Sequence, residues 1–307
     1  MTNLNTWKQK QVEWYEKAIS CAVRIKLERQ NLRQKKLVYE MQMVPAVFFN
    51  LEVWTNLRKS DVTRLESIQG KIMRGSFGLP KSTPYWGLLY ELNILPIMLV
   101  LTYKKIMLYH NIVNSDDRRV AKKIVQEQEK SGFRDCWFGN VKEEGERIGM
   151  KIHENVVKGK LKSKWKKEVK RKIREMFRKG VEEKKKTSKK MRFLKRSGSD
   201  TYLPEIFNED ARTAIKIRLN MIDWISDNYG KRENCPLCGH EDNTEHVIDC
   251  TSVNSGGTVT TTNLEMGVCM KDIVEHFNAT EKMRREVMID NVLVNFDVLR
   301  QDGELED

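Results

Sequence analysis

Proline and glycine are scarce in this chain of 307 residues, numbering six and 17. So few breakers argue against a chain of tight turns and long loops, and abundant Lys, Glu, Leu and Met favour helix. Long apolar runs are missing too. The most apolar stretch, Ile94 to Leu101, spans eight residues and is soon followed by Lys104 and Lys105. That is far short of the ~20 residues that cross a bilayer, so no membrane partner is expected. The opening "MTNLNTWKQKQVEWYEK" has no apolar core of a secretory signal. Six cysteines, Cys21, Cys136, Cys235, Cys238, Cys250 and Cys269, are too few and too clustered beside histidine for a disulfide framework. They point to reduced thiols in an intracellular protein. Of the five histidines, His110, His153 and His276 stand alone. None has the nearby nucleophile or orienting carboxylate that a general base needs. The adjacent aspartates Asp116 and Asp117, in "NSDDRRV", lack a flanking apolar strand. They read as a solvated turn, not as the paired carboxylates that hold two Mg²⁺ ions for nucleotide transfer.

What remains is helix and charge. Length suggests about two domains. Residues 7–43 read as one long helix or two, with Val12, Tyr15, Ile19, Ala22, Val23 and Leu27 on one stripe that Leu37 and Val38 resume. "VPAVFFNLEVWTNL" is expected to be buried, but its periodicity does not decide between helix and strand. Asp61 can cap a helix carrying Val62, Leu65, Ile68 and Ile72. Thr83 suits an N-cap with Pro84 at the first helical position, and Pro96 opens a helix over 97–113. Short connections between successive helices predict a mainly α, bundle-like fold.

The chain's basicity is local. Between Lys158 and Arg196 stand twenty Lys or Arg and four Glu, a net of +16, against +13 for the whole chain. Leu161, Trp165, Val169, Ile173 and Phe177 recur there every four residues. This gives a helix with a narrow apolar edge and positive remaining faces, which Gly180 and "EEKKKTSKK" are expected to break or fray. A lysine run is often only a solvated face or a nuclear-import signal. Here the stripe asks for a surface to dock on, and the charge exceeds what solubility needs. A polyphosphate backbone suits it, through Lys164, Lys166, Lys167, Lys170, Arg171, Arg174, Arg178 and Lys179. Trp165 and Phe177 suit the docking stripe better than base stacking. A further helix is expected over 209–226, apolar at Ala211, Ala214, Ile215, Leu219 and Ile222 and basic at Arg212, Lys216 and Arg218.

Half of the cysteines lie in "ENCPLCGHEDNTEHVIDC". Two residues separate Cys235 from Cys238, seven separate Cys238 from His246, and three separate His246 from Cys250. Pro236 and Gly239 suit a turn that aims both sulfurs at one ion. His246 and Cys250 share a face of a short helix that Asn243 or Thr244 can cap. Four such ligands make a closed tetrahedral Cys₃His site, the pattern of structural zinc. A Cys235–Cys238 disulfide is the alternative, iron–sulfur ligation would want four thiolates, and His240 is a spare. With Leu237, Val247 and Ile248 as its main apolar residues, the segment needs the metal to fold. Beyond it comes the polar "TSVNSGGTVTTTN" and an expected amphipathic pair of helices around Val274 and over Val287 to Leu299.

Taken together, "VPAVFFNLEVW", "LESIQGKIMRGSFGLPKSTPYWGLLYELNILPI" and "KIRLNMIDW" followed by the cysteine knuckle resemble the C-terminal region of the reverse transcriptase of non-LTR retrotransposons. The resemblance covers roughly residues 35–252. It implies a thumb-like helical bundle over 1–150, a basic connector over 151–200, a helix and CCHC zinc knuckle over 201–255, and a linker with C-terminal helices over 256–307. The family is an RNA-directed DNA polymerase, but fingers and palm are missing from this chain. So is the Pro-Asp and Asp/Glu-x-Lys core of the endonuclease that some relatives carry, since Asp272, Glu275, Asp290 and Asp297 have no matching lysine. The expectation is therefore a non-catalytic, nuclear remnant that grips RNA or DNA backbone through the basic helix and the zinc knuckle. The alternatives are a protein-interaction scaffold, or the non-catalytic part of a reverse transcriptase acting with a catalytic partner.

Overall fold

The computed structural model describes residues 10, 13–21, 24, 32–55, 57–198, 201–203, 208–222, 225, 234–250, 252–253 and 259–302, with side chains in the last helix described to residue 287. Among these the only pairing of β type is an isolated bridge between Asn234 and Glu241, and the rest of the regular structure is helical. The chain clusters into two compact units, residues 1–90 with 94–187, and residues 91–93 with 188–307.

The first unit is organised around α6 (Ile97–Val113). Its sequence, "IMLVLTYKKIMLYHNIV", is apolar nearly all round, which demands cover on most sides. That cover comes from α4 (Lys59–Phe77), α7 (Val120–Ser131), α8 (Trp137–Arg147), α9 (Glu154–Val157), α10 (Lys162–Thr187) and a 3₁₀ turn at Leu51–Val53. Pro96 stands immediately before the first turn of α6, as predicted. The lysines expected to end the apolar run do not both reach water. Lys105 is 2% exposed and donates to Asn140 Oδ1. Burial holds its pKa below the usual lysine value, with Glu144 opposing that shift. It lines a cavity of about 250 Å³ with Glu143, Glu144 and Arg147.

A single buried amide ties the N-terminal part together. Gln69 on α4 donates from Nε2 to Tyr39 Oη at 2.7 Å and to the Leu95 carbonyl at 2.9 Å. Its Oε1 accepts from the Ile97 backbone N–H at 2.6 Å and from the Tyr85 hydroxyl of α5 (Tyr85–Glu91). Two donors and two acceptors are thereby all used, as a buried amide requires. Tyr39 begins a π-turn, Tyr39–Met43, between α2 (Leu32–Val38) and α3 (Val44–Val47).

Local details depart from the sequence expectation. On α1 (residues 13–21) Trp14 and Ala18 face inward while Tyr15 and Ile19 are 38% and 45% exposed. The buried face is one residue out of phase with the predicted stripe, because Trp14 packs on Trp54 at 4.8 Å between centroids. Val12, Ala22, Val23 and Leu27 lie outside the described residues. "VPAVFFNLEVW" forms one helical turn and the 3₁₀ turn, joined through Asn50 in the left-handed region at φ 55°. It buries Val47, Phe48 and Leu51 but leaves Phe49 and Val53 exposed. Asp61 caps α4 from its third position, accepting from the Arg58 backbone N–H at 3.0 Å. Thr83 donates backwards to the Pro80 carbonyl at 2.7 Å, closing the turn before α5.

The second unit comprises α11 (Asn208–Arg218), α12 (Thr244–Asp249), α13 (Thr261–Met266) and α14 (Met270–Asp302), the other three packing against α14. α11 ends earlier than the predicted 226, because Asn220 turns the chain with φ 50°. Ala211, Ala214, Ile215, Leu219 and Ile222 are buried as expected. Arg218, expected on a basic surface, is fully buried. Its Nε lies 2.8 Å from Glu91 Oε1, and Glu91 also accepts from the Tyr202 hydroxyl and from the Gly198 N–H at 3.2 Å. Gly267 sits at φ +68°, and a Cβ there would lie 1.9 Å from Arg218 Nη1. The expected pair of C-terminal helices is instead the short α13 followed by the single long α14.

Two substitutions test these buried polar links by urea unfolding. Gln69→Leu strands two tyrosine hydroxyls, one N–H and one carbonyl, at about 1–3 kcal/mol for each unpaired group, so the first unit should lose at least about 4 kcal/mol. Glu91→Ala strands the Arg218 guanidinium and should cost the second unit about 3–5 kcal/mol.

Candidate metal centre and basic surface

The basic helix is a fixed part of the first unit rather than a separate connector. Trp165, Val169, Ile173 and Phe177 are all buried, and Val181 continues the stripe for one more turn. Leu161, taken as its first member, lies before the helix and is 63% exposed. Nor does Gly180 break the helix, which runs on to Thr187. A Cβ at Gly180 would meet the Trp86 ring at 3.1 Å, so the glycine serves close approach of that ring. Phe177 packs on the same indole at 5.8 Å.

All eight cations singled out from the sequence, Lys164, Lys166, Lys167, Lys170, Arg171, Arg174, Arg178 and Lys179, are exposed. Lys164, Lys167, Arg171, Arg174 and Arg178 follow one another at alternating spacings of three and four, the repeat of one helix face. At 1.5 Å per residue that stripe is about 21 Å long. Arg171 pairs with Glu175 at 2.5 Å, and Lys170 lies over the Tyr103 ring at 5.9 Å.

In the second unit the four spaced ligands converge. The Sγ atoms of Cys235, Cys238 and Cys250 and a ring nitrogen of His246 all lie within 4.8 Å of one another, so the cluster is able to hold a metal ion. Cys238 Sγ is 3.8 Å from Cys250 Sγ and 3.1 Å from His246 Nε2. All six cysteines are free, so the Cys235–Cys238 disulfide is not formed. The turn from Cys235 is closed by the Gly239 N–H on the Cys235 carbonyl at 2.8 Å, with Gly239 in the left-handed region at φ 78°. Asn243 is the N-cap of α12, accepting from the His246 N–H at 2.8 Å, while Thr244 bonds Asn220 instead. His240 is exposed and outside the ligand set.

The cluster's electrostatics are uneven. Burial pushes the Cys250 thiol up to about 11. Burial works in the same direction at Cys235, but the backbone N–H groups of Leu237 and Cys238 and the Arg284 guanidinium bring that thiol below its ordinary value. His246 is lowered by burial and then by Arg284, against the pull of Asp242.

Two of the three isolated histidines are buried against backbone carbonyls. His110 is buried with Nε2 2.9 Å from the Lys160 carbonyl, and His276 is buried with Nε2 2.8 Å from the Val247 carbonyl. Asp116 and Asp117 form ion pairs with Arg118 at 3.1 Å and Lys122 at 2.6 Å in an exposed turn. Sequence reasoning missed Asp242 and Arg284, both buried beside the metal ligands. Neither announces itself in the sequence; only the structure shows Arg284 to lie with His276 and Thr280 on a buried polar stripe of α14 at four-residue spacing. No described helix is long and apolar enough to cross a membrane. Comparison with protein-family models, curated proteins and solved structures finds no match to this chain.

Metal ligation requires deprotonated thiols, and the Cys250 thiol carries its proton near neutrality. Uptake of a divalent ion should therefore release protons, and competition titrations should give tighter binding at about pH 8 than at about pH 6.

Proposed function

We propose that this chain is a non-catalytic nucleic-acid-binding module, equivalent to the thumb, basic helix and zinc knuckle of a non-LTR retrotransposon reverse transcriptase. The observation that carries the reading is the division of labour on α10. Its apolar stripe is buried on one edge, and its eight chosen cations all face solvent. A rigid row of cations at helical spacing suits a chain of phosphates, because each neutralised phosphate releases a counterion. It suits base reading less, so the binding is expected to follow backbone more than sequence. A nuclear location goes with this reading. Asp116 and Asp117 spend their carboxylates on neighbouring cations, in keeping with a chain that neither copies nor cuts nucleic acid.

In this reading the metal is zinc, held by Cys235, Cys238, His246 and Cys250. A tetrahedral site with Zn–S bonds of about 2.3 Å has sulfur–sulfur edges of about 3.8 Å, which is the Cys238–Cys250 separation of 3.8 Å. Three thiolates and an imidazole with no ligand position left open describe a structural ion. It would cross-link the turn at Cys235 to α12 and supply folding free energy that three apolar side chains do not.

The test is affinity for an RNA hairpin and a DNA duplex of equal length, measured between about 50 and about 200 mM salt. Wild type should weaken steeply as salt rises. Replacing Lys167, Arg171, Arg174 and Arg178 together by Gln should flatten the duplex-DNA slope of log affinity on log salt by about 3–4, at about 0.9 per phosphate contact. An affinity indifferent to salt, or primer extension by the purified chain with Mg²⁺, would overturn the reading.

A further inference from the structure

The knuckle is an unpromising surface for phosphate. Residues 233–250 contain Glu233, Glu241, Asp242, Glu245 and Asp249 and no Lys or Arg. Glu241 and Asp249 are exposed. Three thiolates on a dication would add a further net −1. A ligand set with this surround repels a polyanion and attracts a cation, and Arg284 supplies one.

Arg284 reaches the cluster from α14 with its side chain 5% exposed. Its Nη2 stands 3.3 Å from Cys235 Sγ and 2.7 Å from Asp242 Oδ1. Two turns earlier on the same helix, His276 meets the Val247 carbonyl of α12 at 2.8 Å. Thr280, between them, is fully buried and donates to the His276 carbonyl at 2.9 Å. This is a polar face on a helix interior, and its two ends grip the two halves of the knuckle, the cysteine turn through Arg284 and the ligand helix through His276. A guanidinium buried there is costly without negative charge beside it. The Cys235 sulfur, to which Nη2 donates, and the Asp242 carboxylate in ion-pair contact supply that charge.

We infer that the metal centre is a clasp for the C-terminal helix, with Arg284 as the positioning residue that couples metal occupancy to the docking of α14. The inference rests on the metal reading above and goes beyond it. Coupling between two binding events is reciprocal. Whatever the docked helix adds to metal affinity, the bound metal adds to docking. Partners of metal ligands that hold them from outside typically contribute a factor of about 10–100 in metal affinity.

Two measurements on the full chain test this. The first is zinc competition against a chelator for wild type and Arg284→Gln. Both should bind one ion per chain, with the variant weaker by about 10–100-fold. The second needs no substitution: hydrogen exchange of wild type with zinc and after chelation. Amides of residues 270–287 should lose protection when the metal is removed, while those of α6 in the other unit keep theirs. Equal affinity of variant and wild type, or an α14 indifferent to chelation, overturns the clasp while leaving the metal site intact. A wild-type chain that takes up no zinc overturns the metal reading itself, and the clasp with it.

Discussion

Thirteen Lys or Arg and four Glu on the 26 residues of α10 leave a net of +9 on one helix, and the proposed nucleic-acid surface depends on that helix staying folded. Eight pairs of these cations stand three or four residues apart. Each such like-charge pair opposes helix by about 0.2–0.5 kcal/mol, or about 2–4 in all. Against this, Trp165, Val169, Ile173, Phe177 and Val181 are each removed from water on α6 and its neighbours. At about 1.5–3 kcal/mol per buried side chain, that edge contributes about 7–15 kcal/mol. The anchor wins by several-fold, so the helix tolerates its own charge and even carries Gly180 without breaking. A bound polyanion would then relieve repulsion that the fold has already absorbed.

Buried polar groups recur in both units under a similar rule. Gln69 is buried with four partners, and Arg218 with a carboxylate that is itself held by a tyrosine hydroxyl and a backbone N–H. Arg284 follows the same pattern, set between Asp242 and Cys235. The difference lies in the surroundings. Gln69 and Arg218 belong to elements that bury many apolar side chains of their own, such as Leu65, Ile68 and Ile72 on α4 and Ala211, Ala214 and Ile215 on α11. The knuckle's own apolar cluster is small, Cys235, Cys250 and Val253 with Leu237 and Cys238 at its edge. There the polar contacts, with any ion the four ligands hold, would do what packing does elsewhere.

What could be read from the sequence was whatever local chemistry determines. The four-residue stripe of α10, the start of α6 after Pro96, the pairing of Cys235 with Cys238 and of His246 with Cys250, and the Asn243 cap each depend on spacings within a turn or so. What could not be read depends on a distant partner. Gly180 looked like a breaker until Trp86, over ninety residues earlier, was seen to occupy the space above it. The inward face of α1 is set by Trp54, and periodicity alone put Tyr15 and Ile19 there instead. Arg218 looked like surface because its counter-charge, Glu91, is remote in sequence. Arg284 was invisible for the same reason, since an arginine on a helix announces nothing until its carboxylate and sulfur neighbours are known.

Charge also separates the two units by what each can touch. The cations that suit phosphate belong to the first, on a helix whose apolar edge is already spent. The second carries the metal ligands amid carboxylates, where phosphate would meet repulsion. A zinc ion in such a setting adds nothing to backbone binding through its own charge, because three thiolates outweigh it. What an ion held there would change is the folding of the second unit, and Arg284 is the side chain proposed to carry that change to α14.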